Sequence, residues 1–168
     1  KKKIIARCVD SLEYGPRALG NRSILFHAAD PSVNIWLNKK LNRSEFMPFA
    51  PIVIAEEGKK FFKFKNNMDF NNRYMTLATQ TKSITKKKCP AIVHSNGTSR
   101  PQILFKEDNA KLYKLMNYYF NLSGIPCLIN TSFNMHDEPI VCNEFQAIDV
   151  FIRSNLDFLQ LNDYIINK

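Results

Sequence analysis

The chain has 168 residues, 45% of them apolar, enough for one domain with a substantial buried core. Lys and Arg number 24 against 15 Asp and Glu, and the resulting formal charge of +9 favours anionic partners: nucleotide phosphates, nucleic acid or an acidic neighbouring domain. Cys8, Cys89, Cys127 and Cys142 are scattered, without a C-x-x-C pair or a histidine at zinc spacing, and no apolar run approaches the roughly 18 residues that span a bilayer. Reduced thiols, no metal site and a cytoplasmic setting are the expectation, with no membrane partner. The start at Lys1-Lys2-Lys3-Ile4, without a methionine or a signal peptide, reads as a piece of something longer.

In chain order, residues 4–9 read as a strand, followed by a loop carrying Gly15, Pro16 and Gly20. Asp30-Pro31 starts a helix to about Leu41, with Val33, Trp36, Leu37 and Leu41 at helical spacing. Residues 49–55, bracketed by Pro48 and Pro51, suggest a strand near a sheet edge. Residues 56–62 suggest a short helix, 74–79 a strand and the lysine-rich stretch 82–88 an exposed loop without chemistry. Residues 91–94 and 102–105 read as strands flanking the polar turn Ser95-Asn96-Gly97-Thr98-Ser99. Asp108 is placed to cap a helix from Asn109 to about Leu122, with Leu112, Leu115, Met116 and Tyr119 as its apolar stripe. Residues 126–129 form a short buried strand, Asn143 and Gln146 a capping box for a helix to about Arg153, and 156–161 a closing strand. Strands alternating with helices, some strands also adjacent in sequence, give an α/β or α+β class: an open mixed sheet with packed helices and a single domain.

The most informative stretch is Glu13-Tyr14-Gly15-Pro16-Arg17-Ala18-Leu19-Gly20-Asn21-Arg22-Ser23-Ile24. Each guanidinium offers a planar fork of donors suited to phosphate or carboxylate oxygens. Gly15 and Gly20 have P-loop spacing, but Asn21-Arg22-Ser23 replaces the Lys-Ser/Thr pair, which excludes a true P-loop. A purely structural alternative has Glu13 pairing with one arginine to staple the loop.

This stretch resembles the E-F-G-P-R-A-L-G-N-R-S-I signature of the carbamoyltransferase family that includes nodulation protein NodU and antibiotic-tailoring enzymes. Three further segments resemble that family in order: Phe46-Met47-Pro48-Phe49-Ala50-Pro51; His94-Ser95-Asn96-Gly97-Thr98-Ser99-Arg100-Pro101-Gln102; and Gly124 through Asn134, followed by Glu138-Pro139-Ile140-Val141. The resemblance covers nearly the whole chain. It implies a C-terminal domain with a YrdC-like fold that joins carbamoyl phosphate and ATP, with Mg²⁺ on the nucleotide, into carbamoyl adenylate. An absent N-terminal, actin-like (ASKHA) transfer domain would then pass the carbamoyl group to a hydroxyl. By motif position it implies Arg17 and Arg100 as the catalytic groups on phosphate or carbamoyl oxygens. Arg22, His94, Asn96, Thr98 and Gln102 line or support the pocket. Asn130, Thr131, Ser132 and Asn134 offer amides and hydroxyls to a carbamoyl group or adenine, or else bond their own backbone. Arg17, Arg22 and Arg100 are expected to converge on one basic pocket.

Departures from the family pattern point the other way. Leu41 and Met47 stand where the family has lysine and arginine, Ser44 replaces a glutamate, and Asn96 replaces an aspartate. A degenerate structural or regulatory domain is therefore one alternative. An electrostatic RNA-binding module is another, thinly supported because the basic runs carry no recognised RNA motif.

Overall fold

The computed structural model describes residues 3–41, 49–64 and 69–168. In chain order the elements are β1 (Ile5–Cys8), β2 (Arg22–His27), α1 (Val33–Lys40), β3 (Ala50–Ile54), α2 (Ala55–Phe61), β4 (Phe62–Lys63), α3 (Asp69–Asn72), β5 (Thr79–Thr81), α4 (Ser83–Lys88), a 3-10 turn (Pro90–Ile92), β6 (Thr98–Ser99), β7 (Gln102–Leu104), α5 (Ala110–Ser123), β8 (Cys127–Ser132), α6 (Glu144–Arg153), β9 (Phe158–Leu161) and β10 (Tyr164–Asn167). The chain divides into two compact units. Lys1–Phe26, Ser32–Met47 and Asn130–Lys168 form the first; His27–Pro31 and Pro48–Ile129 form the second. No single cut in the sequence separates them. No described helix is long and apolar enough to cross a membrane.

In the first unit the strand order is β10-β9-β1-β2, followed by the C-terminal half of β8. The sheet is mixed: β1 runs parallel to β9 and antiparallel to β2, with Cys8 opposite both Leu161 and Arg22. Strand β2 was hidden in the sequence because Ile24, Leu25 and Phe26 are all buried, so the run lacks the polar alternation of a one-faced strand. Helix α6 packs on β1 and β9 through Ala147, Val150 and Phe151. The expected Asn143 cap is present, its side chain accepting from Gln146 N at 3.0 Å. The expected closing strand is shorter and turns back on itself: Asn162 at φ 50° reverses the chain into β10, antiparallel to β9.

In the second unit β3 lies between β7 and the N-terminal half of β8, with every residue buried, so it is an interior strand rather than the expected edge. The parallel ladder to β7 begins at Ile52 opposite Gln102, one residue past Pro51, so the missing proline N–H falls outside it. A small antiparallel sheet has the order β4-β5-β6. The expected strand at 74–79 moves to Thr79–Thr81, and that at 91–94 is a 3-10 turn opened by Pro90. The lysine-rich 82–88 stretch is helix α4 rather than a loop, because Thr85 is wholly buried and its hydroxyl donates to Phe61 O. Asn109, not Asp108, caps α5, accepting from Leu112 N at 2.9 Å; Asp108 instead pairs with Arg73 at 2.7 Å. The α/β class with a mixed sheet and packed helices is otherwise as the sequence indicates.

Candidate functional site

In the first unit, the loop joining β1 to β2 carries the densest chemistry, and three charged side chains hold its main chain. Glu13 pairs with no arginine among the described residues. Its Oε1 accepts main-chain N–H groups from Leu19 at 2.8 Å, Asn21 at 2.5 Å and Arg22 at 3.4 Å. Arg7, buried in β1, donates from Nε to Gly20 O at 2.9 Å and from Nη1 to Gln160 at 2.8 Å, and burial lowers its pKa. Arg22 is 5% exposed. Its guanidinium makes five bonds to the carbonyl oxygens of Val9, Asp10, Asn21 and Cys142, at 2.7 to 3.3 Å. Every N–H donor of that fork is engaged with main chain.

Arg17 is the contrast. It is exposed, and its guanidinium has no hydrogen-bond or ion-pair partner among the described residues. Gly15, at φ 105°, sets the backbone turn that precedes it, a conformation a side chain would strain. The loop connects two antiparallel strands, so it also lacks the strand-to-helix setting of a P-loop. The Asn130–Asn134 segment is brought beside this loop: Asn130 Nδ2 donates to Ala18 O at 3.3 Å, and Phe133 N to Arg22 O at 2.9 Å. Asn130 is buried within β8, not in a turn after it. Thr131 is half-buried in the same strand. Ser132 donates to Asn134 Oδ1 and Asn134 to Glu138 O, both at 2.7 Å, so these two side chains brace the local turn.

The second unit holds His94, Asn96, Thr98, Arg100 and Gln102. His94 N donates to Thr98 O and Gly97 N to His94 O, which makes Ser95-Asn96-Gly97 a three-residue hairpin loop with Gly97 at φ 76°. Thr98 N donates to Asn96 Oδ1 at 3.1 Å, which fixes the amide orientation; the Thr98 hydroxyl, 2.7 Å from that same oxygen, must then be a donor to it. His94 Nδ1, 3.2 Å from Thr98 Oγ1, is therefore the donor in its pair, and Nε2 keeps a lone pair. Burial, then the Arg100 charge, lowers the His94 pKa and keeps the ring neutral near pH 7. His94, Ser95, Asn96 and Gly97 line an open cleft of about 560 Å³ with Lys86, Pro90 and Val93. Gln102 is 3% exposed within β7, and Arg100 is half-buried just after β6.

Arg17 and Arg22 thus belong to one unit and Arg100 to the other. Sequence reading missed Arg7, a lone strand arginine with no local signal, and Lys86, hidden in a basic run that looked like a solvated loop. Among the described residues no three His, Cys, Asp or Glu side chains group as metal ligands.

A family model for the carbamoyltransferase C-terminus matches residues 1–168. The chain belongs to that carbamoyltransferase C-terminal family. It is 38% identical over 169 residues to the uncharacterized protein MJ1051 of Methanocaldococcus jannaschii, covering 99% of this chain and 31% of that protein. It is 38% identical over 124 residues to nodulation protein U of Rhizobium tropici, covering 74% of this chain and 21% of that protein. The chain therefore spans less than a third of the length of these relatives. In fold it is similar to full-length HypF, solved in a phosphate- and nucleotide-bound form: TM-score 0.70, 20% identity, 99% of this chain and 24% of that one. Of the two positions where the resemblance implied a cation, Leu41 is wholly buried, and Met47 lies outside the described residues.

Proposed function

We propose that this chain is the nucleotide- and carbamoyl-handling module of an O-carbamoyltransferase, forming carbamoyl adenylate from carbamoyl phosphate and ATP for transfer to a hydroxyl by an N-terminal module of the same protein. The observation that carries the reading is Arg17: an exposed guanidinium, without a partner among the described residues, on a loop whose main chain is locked by Glu13, Arg7 and Arg22. A pre-ordered cation with an open fork is what stabilises phosphoryl charge at little ordering cost.

Atom balance sets the rest of the chemistry. Water opens carbamoyl phosphate to carbamate and phosphate; a carbamate oxygen then attacks the α-phosphorus of ATP, and pyrophosphate leaves. Magnesium bound to the nucleotide would supply neutralisation of phosphate charge, to which Arg17 adds its donors. In the second unit, neutral His94 offers the Nε2 lone pair as acceptor for a proton from the attacking water. The nucleotide- and phosphate-bound state of the HypF fold relative supports the ligand class.

The test is carbamoyl-phosphate-dependent pyrophosphate release from ATP by the whole protein and by its Arg17→Ala variant. Loss of one charge-assisted contact, about 1.5–3 kcal/mol, predicts a fall of roughly 10- to 100-fold in kcat/KM. The unfolding midpoint stays unchanged, because the Arg17 side chain bonds to nothing among the described residues. Equal rates in the two proteins refute the assignment.

A further inference from the structure

The cleft at the Ser95-Asn96-Gly97 loop contains a cation that no motif points to. Lys86 projects from α4, and its Nζ lies 3.6 Å from where a Cβ on Gly97 would stand. The register of the two segments is built in. Thr81 donates from N and Oγ1 to Gly97 O at 3.0 and 2.7 Å, and Lys82 N donates to Phe61 O at 2.9 Å. With buried Thr85 bonded to the same Phe61 oxygen, the first turn of α4 is pinned beside the hairpin loop.

The electrostatics of the lining are one-sided. Among the described residues around the cleft, Lys86 carries the one full charge; His94 is neutral, and no Asp or Glu is present. The Lys86 ammonium has no hydrogen-bond or ion-pair partner among the described residues, unlike Lys82, bonded to Lys59 O, and Lys88, bonded to Gly124 O. The main-chain N–H groups of Ser95 and Asn96 likewise have no acceptor there. An ammonium without a partner among the described residues, in a cleft whose lining holds no carboxylate, is an arrangement that takes an oxyanion. A Cβ at position 97 would only reach ordinary van der Waals contact with Nζ, and it is the φ of 76° that favours glycine there.

We infer that Lys86 is the phosphate-gripping cation of this cleft, holding a phosphate group of ATP or of carbamoyl phosphate. The inference rests on the nucleotide- and carbamoyl-handling reading and adds to it a binding residue outside all four family-like motifs.

The experiment uses the whole protein and its Lys86→Met and Lys86→Arg variants, with ATP, carbamoyl phosphate and inorganic phosphate as titrants in calorimetry. Lys86→Met is expected to weaken the phosphate ligand about 10- to 100-fold, and Lys86→Arg to restore most of that loss. In parallel, acetic anhydride labelling read by mass spectrometry is expected to show Lys86 protected by ligand while Lys87, on the same helix, stays reactive. Protection by ATP alone identifies the nucleotide phosphate; protection by carbamoyl phosphate and inorganic phosphate identifies the other source. Unchanged affinity in Lys86→Met, or equal Lys86 labelling with and without ligand, overturns the assignment while Arg17-dependent ATP binding would leave the functional reading standing. If the wild-type protein binds none of the three titrants, both fail together.

Discussion

Replacing Arg22 by methionine separates a structural staple from a ligand contact. The guanidinium bonds four carbonyl oxygens, and Asn21 O retains the Val9 N–H at 3.1 Å, so Val9, Asp10 and Cys142 are the carbonyls that lose this donor. Val9 is buried, whereas Asp10 and Cys142 are exposed and their carbonyls can turn to water, so one deprived buried acceptor dominates the loss, about 1–3 kcal/mol. For a chain of this size that corresponds to a fall of about 2–12 °C in Tm. Trp36, the single tryptophan, meets Phe26 edge-on at 4.9 Å in the unit that contains Arg22, so its fluorescence reports this unfolding directly. Arg22→Lys is expected to recover little, because one ammonium cannot span carbonyls that the planar fork reaches together. The reasoning is refuted if Arg22→Met unfolds within about 0.5 kcal/mol of wild type, the scatter of an ordinary surface substitution. Full stability combined with lost nucleotide binding would return Arg22 to the ligand role its motif position implies.

Two further outcomes follow from buried groups. Leu41→Lys, which would restore a family-like cation, is expected to destabilise the protein by about 3 kcal/mol or more, because Leu41 is 0% exposed and an unpaired ammonium there loses its hydration; denaturant titration checks this, and a stable, more active variant contradicts it. His94 is expected to titrate below 6.5 by NMR, with Nδ1 protonated in the neutral form. The unfolded imidazole then takes up its proton first, so this contribution to stability is present above about pH 6.5 and is lost as pH falls through the lower folded value. Arg100→Gln should move the titration upward, and a titration at or above 6.5 in the wild type would refute the burial argument.

Local chemistry carried what was legible in the sequence. Helix α6 and its Asn143 cap, helix α1, strand β1 and the special loop before β2 all announce themselves within a few residues, through periodicity, a capping side chain, or Gly and Pro where the backbone turns. The motif residues named the family for the same reason: a short string of side chains can be read without knowing what it touches. What the string could not reveal was the partner of each group. Arg17 and Arg22 sit five residues apart in one loop, yet one has no partner among the described residues and the other is spent on carbonyls contributed by residues 9, 10 and 142. Glu13 satisfies N–H groups rather than an arginine, β3 is interior despite Pro51, and α4 is a helix despite its lysines, because Thr85 is buried against Phe61 O. The Glu13 contacts close within the loop itself, whereas the others depend on contacts long-range in sequence or on a strand neighbour, and burial reverses the meaning of a polar residue. An arginine in water is a ligand fork; the same arginine surrounded by orphan carbonyls is a clamp. Only tertiary structure decides which environment each one receives.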